Sequence, residues 1–202
     1  MAAIPTAIRA ALVSFLAAAL TGAQNPSLSF KAEFEAGGSL RAHIRSGEVH
    51  IVGSDRDGIT VRFEGPNASR GDEVTVSLKR SGSTGNLTIK GGPRNDFRVV
   101  VEIPRQTSLF VRVPFGELDI DGVTGDKDVE VHSGEVNIEV EDPEQFGHAE
   151  ASVYAGELSA ECFQVEKGGL FRSFKTTGNG NYRLHAHVGT GQLTLKGPKS
   201  TN

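Results

Sequence analysis

The chain has 202 residues, with 21 Lys and Arg against 25 Asp and Glu and a formal net charge of −4. That mildly acidic balance argues against nucleic acid or an anionic membrane surface as a partner. The single cysteine, Cys162, rules out an intrachain disulfide, and the absence of Trp with only 2 Tyr argues against an aromatic sugar-stacking cleft.

Residues 1–23 read as a signal peptide. Arg9 is the only charge before Lys31, Ala10 to Leu20 is apolar but too short to span a bilayer, and Thr21-Gly22-Ala23 places small residues at a cleavage site. The expectation is therefore export, with a mature start at Gln24 and no membrane span afterwards. Residues 24–39 form an N-terminal extension, 40–197 a β-strand-repeat domain and 198–202 a C-terminal tail.

From residue 40 onward the chain alternates. Leu40, Ala42 and Ile44 begin the pattern, and Ile59, Val61 and Phe63 and then Val74, Val76 and Leu78 continue it. Gly65-Pro66-Asn67 and Arg70-Gly71-Asp72 are turn material between these runs. From Phe97 the runs become regular: Val99, Val101 and Ile103, then Leu109, Val111 and Val113, and so on to Leu193 and Leu195. Period-2 alternation in short runs closed by Gly, Asp or Pro predicts strands with one buried face, and no helix is expected after residue 23. This register points Val111, Ile120, Val131 and Ile138 inward, and Arg112, Asp119, Glu130 and Asn137 outward.

One phrase recurs: a glycine, a polar residue, an aliphatic, a polar residue, then an aliphatic or small one. It stands at Gly47-Glu48-Val49-His50-Ile51, Gly85-Asn86-Leu87-Thr88-Ile89, Gly116-Glu117-Leu118-Asp119-Ile120, Gly134-Glu135-Val136-Asn137-Ile138, Gly156-Glu157-Leu158-Ser159-Ala160 and Gly191-Gln192-Leu193-Thr194-Leu195. The interval from Gly116 to Gly134 holds the phrase strand, the turn Asp121 to Asp126 and a second strand, which is the content of one coil of a solenoid. The predicted fold is all-β: a short parallel β-solenoid with two strands per coil and an irregular first third paired partly antiparallel. An antiparallel β-sandwich is the alternative, because local alternation does not reveal connectivity.

The stretch Val99–Val140, with Val-Glu-Ile-Pro, Leu-Phe-Val-Arg-Val and the two glycine phrases, resembles a bacterial β-strand-repeat family described as adhesin-like or as a domain of unknown function. The resemblance spans about Leu40 to Gly197. It implies an exported or envelope-associated β-solenoid and brings no catalytic residues. Phe146–Val153 and Phe163–Lys175 depart from its usual short units.

Few residues invite chemistry. If coils stack in register, three of the phrase glutamates Glu48, Glu117, Glu135 and Glu157 would lie in a column at about 4.8 Å, where like charges repel and Ca²⁺ would relieve them. No Asp-rich calcium loop accompanies them, so solvated turns are the expected setting. Arg183, His185 and His187 share one strand face. The two histidines are the only candidates for a metal such as Zn²⁺, and no third ligand is evident. Cys162 is placed in the inward row of Leu158 and Ala160 as a small hydrophobe, with no base assigned to it from among His132 and His148. There is no nucleophile elbow, and the sequons at Asn67 and Asn86 read as chance.

The expected function is a non-enzymatic, exported structural or adhesin-like binding module of the cell envelope, needing no cofactor. Its location would be the periplasm, the cell surface or the medium, and its partner an envelope or extracellular component or a second copy. A polysaccharide-acting enzyme on a β-helix scaffold and an envelope-stress accessory protein are the alternatives.

Overall fold

The computed structural model describes residues 29–197; the expected signal peptide and cleavage site fall outside the described residues. The fold is all-β. Twelve strands form a single mixed sheet that is not closed: β1 (Ser29–Ala32), β2 (Ser39–Ile44), β3 (Gly47–Ser54), β4 (Ile59–Glu64), β5 (Val74–Ser81), β6 (Thr84–Gly91), β7 (Arg98–Pro104), β8 (Ser108–Asp121), β9 (Lys127–Glu139), β10 (Phe146–Ala160), β11 (Val165–Thr177) and β12 (Tyr182–Lys196). The only helical pieces among the described residues are short 3₁₀ turns at Ala68–Glu73, Pro143–Gln145 and Glu161–Phe163.

Four long strands run parallel in the spatial order β8, β9, β12, β10. Chain order would put β10 directly against β9, but β12 lies between them. Charge favours this order at two rungs. β9 and β10 carry acidic residues on their outward faces, whereas β12 carries none. Direct β9–β10 pairing in this register would set Asp128 against Glu150 and Glu135 against Glu157, and like charges directly opposite are destabilising. With β12 between them, His185 separates the first pair and Gln192 the second.

Each long strand bends at its phrase glycine. Gly47, Gly116, Gly134, Gly191, Gly156 and Gly169 are neighbours across successive strands and form one ladder. All six have φ between +111° and +145°. A Cβ on Gly134 would lie 1.8 Å from the Gly116 carbonyl oxygen, and one on Gly156 would lie 1.8 Å from that of Gly191. No side chain fits such a space, so glycine is required by both backbone conformation and contact.

The ladder divides the sheet into two wings. Before it, β2 and β8 pair in parallel, with β6 and then β5 outside β2. After it, β3 and β8 pair in parallel, with β7, β4 and β1 outside β3. The antiparallel pairs expected in the first third are β5–β6, β4–β7 and β1–β4. β11 adds an antiparallel strand along β10, formed by the departing segment after Phe163.

Inward rows from both wings meet in one core cluster. Ala42, Val111, Val129, Ala186 and Ala151 make one row; Ile51, Ile120, Ile138 and Leu195 make another, all at 1% exposure or less. With no helix to cover them, the two wings bury each other's inner faces. Val131 and Val136 are both fully buried although five residues apart, because the bend absorbs one extra residue and resets the alternation. Val111, Ile120, Val131 and Ile138 face inward as expected. Phe34 joins this core from the stretch ahead of residue 40.

One inward position is charged. Lys127 stands in the row of Leu109, Leu184 and Ala149 and is 2% exposed. Its Nζ donates to the Gly125 carbonyl oxygen at 3.3 Å and lies 5.0 Å from the centroid of the Phe146 ring. Burial brings its pKa down to about 8 despite Glu141 and Asp126 nearby. A lowered folded-state pKa means that the unfolded chain binds the proton more tightly, so stability rises as pH climbs from about 8 towards 10.5.

Two outcomes follow for unfolding experiments. Gly134→Ala should lose more than about 3 kcal/mol, whereas Gly168→Ala, whose Cβ would meet nothing within 4 Å, should stay within about half a kcal/mol of the parent. Equal losses would mean that the ladder imposes no constraint. Lys127→Met should unfold at a higher temperature than the parent at pH 7, by up to about 3 kcal/mol, with the gap narrowing by pH 10. A gap independent of pH would place the effect in packing rather than charge.

Candidate functional site

The outward rows of the second wing bring the phrase glutamates together. Arg98, Glu48, Glu117, Glu135, Gln192 and Glu157 stand side by side on successive strands. The glutamates thus stand in a column on strands rather than at the splayed, solvated turns expected for them, with two further members that the repeat did not reveal. Arg98 closes one end, its Nε 3.3 Å from Glu48, and Gln192 separates Glu135 from Glu157.

A second row runs beside it: His50, Asp119, Asn137, Thr194 and Ser159. Asn137 faces outward as expected yet is only 8% exposed. Its Nδ2 donates to Asp119 at 3.0 Å and to Glu135 at 3.2 Å, tying the two rows together. His50 pairs through Nε2 with Asp121 at 3.0 Å.

Glu117 has a carboxylate on either side in the column. Burial, then the charges of Asp119, Glu135 and Glu48, hold its carboxyl above the usual range, with Arg98 opposing them. Along the bend, the bare glycines leave a groove of about 690 Å³, floored by Gly134, Gly191 and Gly156 and edged by Glu135, Gln192 and Glu157. This shallow, acid-edged groove is the candidate site on the second wing.

The first wing presents alternating charge. Arg112 pairs with Asp128 at 3.0 Å and Glu130 at 2.9 Å. His185 lies 3.4 Å from Asp128, and His187 shares a hydrogen bond with Ser152 at 2.9 Å. The two histidines thus share a face, each engaged with a neighbouring strand. Among the described residues no group of three or more His, Cys, Asp or Glu is placed to hold a metal ion.

Cys162 differs from its expected place. β10 ends at Ala160, and Cys162 lies in the following 3₁₀ turn, half-buried rather than in the inward row. Turn geometry there overrides the alternation. Its Sγ lies 3.6 Å from the Leu195 carbonyl oxygen, and burial pushes the thiol up to about 11, so it is a poor nucleophile.

No protein-family profile and no curated protein matches the chain. Solved structures do resemble it. A candidate cell adhesion protein from Clostridium sporogenes is 14% identical with a TM-score of 0.48, over 84% of this chain and 99% of that one. A candidate adhesin from Bacteroides fragilis is 10% identical with a TM-score of 0.37, over 83% and 96%. A third, from Parabacteroides merdae, is 10% identical with a TM-score of 0.24, over 84% and 78%. These neighbours are bacterial and carry the description that the strand repeat suggested.

The column makes a pH prediction. A carboxyl with a raised folded-state pKa stabilises the fold below its unfolded value, and that contribution is lost as pH rises through the folded value. Glu117→Gln should therefore raise the melting temperature at pH 7, and the gain should disappear in acid, where the parent's Glu117 is protonated. A gain that persists in acid would exclude charge as its origin.

Proposed function

We propose that the protein is an exported, non-enzymatic adhesin-like module of the bacterial cell envelope, which holds its partner along its outer surface. The observation that carries this reading is the apolar edge of the bend. Phe115, Tyr154, Leu170 and Phe171 are 54%, 55%, 62% and 69% exposed. Phe115 and Leu170 occupy one rung beside the glycine ladder, together with Ser133, Thr190 and Ala155. Tyr154 and Phe171 meet edge to face at 4.7 Å. Phe115 stands at one end of this rung, and Leu170 with the Tyr154–Phe171 pair at the other, so exposed apolar side chains flank the polar rows as a contact surface requires.

Rigidity supports the same reading. The ladder sets the spacing of each outward row, so the surface is organised before a partner arrives and binding costs less ordering. Location supplies the context: the apolar Ala10–Leu20 segment and the small residues at 21–23 direct the chain out of the cytoplasm.

Fractionation of the native host tests both parts. The protein should be recovered from envelope or medium with a start at or near Gln24, and immobilised mature protein should retain a component of envelope extracts. Tyr154→Ser combined with Phe171→Ser should abolish retention with little change in melting temperature. Full-length protein confined to the cytoplasm, or retention indifferent to the double substitution, would refute the proposal.

A further inference from the structure

On the outward face of the first wing, against the bend, lies a groove of about 530 Å³. Adjacent strands supply its walls. Thr88, His43, Arg112 and Glu130 make one row across β6, β2, β8 and β9. Two residues on, alternation sets Lys90, Arg45, Pro114 and His132 in the next row. Only the short, exposed ring of Pro114 stands between Arg45 and His132, so the second row dips into a hollow. A hollow of this volume is within the range that holds a small organic ligand.

The charges in the hollow are unbalanced. Arg112 is already neutralised by Glu130 and Asp128. Arg45 is not. Its guanidinium lies over the Phe97 ring at 5.6 Å, near the like charge of Arg94, and desolvation with that repulsion lowers its pKa. Among the described residues, none of Arg45, Lys90 and Arg94 has an ion-pair partner. Arg56, Arg62, Arg70, Arg80, Arg98 and Arg105 each meet a carboxylate, while among the described residues Arg41, Arg172 and Arg183 share with Arg45 the lack of an ion pair; Arg45 differs from these three in lining the groove with Lys90. Arg45 over the buried Phe97 ring, with Lys90 beside it in the groove and Arg94 nearby, leaves positive charge here for an anion from outside to meet.

We propose that this groove is a binding site for an anionic saccharide, with a sugar ring seated on Pro114 and its carboxylate, sulfate or phosphate group between Arg45 and Lys90. The planar fork of Arg45 suits a bidentate contact with any of these anions, and Lys90 adds a mobile point charge. Recognition by charge and an apolar seat needs no Trp or Tyr platform, which fits the composition. A nucleic-acid backbone would need a longer basic track, and here the basic patch ends at Glu130 on one side. The assignment holds whatever the chain's place in the cell.

Calorimetric titration of the whole mature protein tests it with four probes: trigalacturonate, a sulfated heparin disaccharide, neutral cellotriose and inorganic sulfate. At least one charged saccharide should bind, about tenfold or more tighter than cellotriose and than inorganic sulfate. The affinity should fall by about tenfold between roughly 0.05 and 0.5 M salt. The carboxylate and sulfate arms identify which anion the site prefers. Arg45→Gln should weaken binding at least tenfold. Because Arg45 also covers Phe97, Lys90→Gln, at an exposed and unpaired residue, serves as the second variant and should weaken binding several-fold with the melting temperature unchanged. Equal binding of cellotriose, binding of inorganic sulfate as tight as that of the sulfated disaccharide, no binding of either charged saccharide, or indifference to Lys90→Gln would each overturn the proposal.

Discussion

The close approach of backbone to backbone along the glycine ladder governs the rest of this molecule. At each bend the strand must turn through a positive φ, and Gly116, Gly134, Gly191 and Gly156 also accept a neighbour's carbonyl oxygen where a Cβ would stand. Once the six glycines are neighbours, every residue before and after them has a fixed lateral partner. Core rows and surface rows both follow from that one alignment, since a slip of a single residue would exchange inside for outside.

In-register stacking repeats chemistry as well as shape. Copies of a glycine phrase carrying the same polar residue bring like charges together, and the column of Glu48, Glu117 and Glu135 bears that cost. The structure limits it in three ways. Arg98 closes one end, Asn137 bridges Asp119 and Glu135, and β12 enters between β9 and β10 with Gln192 at the critical rung. On the first wing the same stacking alternates sign, so Arg112 lies between carboxylates. The hollow around Arg45 and Pro114 is where this compensation stops. The molecule thus has an acidic groove on one wing, a basic one on the other, and an apolar edge between them.

Lys127 shows the limit of tolerance in the core. It holds an aliphatic position at the first residue of β9, where the Gly125 carbonyl and the Phe146 ring are within reach of its ammonium group. A lysine further along the strand, at Val129 or Val131, would meet only apolar side chains, with no acceptor to offset the loss of water.

Local alternation and the glycine phrase, both visible in the sequence, determined the strand content and the inward residues Val111, Ile120, Val131 and Ile138. These depend on a strand's period and on the spacing of a repeat, and both are local. The glutamates, by contrast, were expected at solvated turns and stand in a column instead. The sequence could not determine which strand lies beside which. The insertion of β12, the pairing of β2 with β6 that sets Lys90 beside Arg45, and the approach of Arg98 to Glu48 all join residues far apart in the chain. Cys162 left its predicted row because a 3₁₀ turn ended β10 two residues earlier. Only the tertiary structure decided these matters, because they turn on charge balance and backbone contact between strands that alternation alone treats as equivalent.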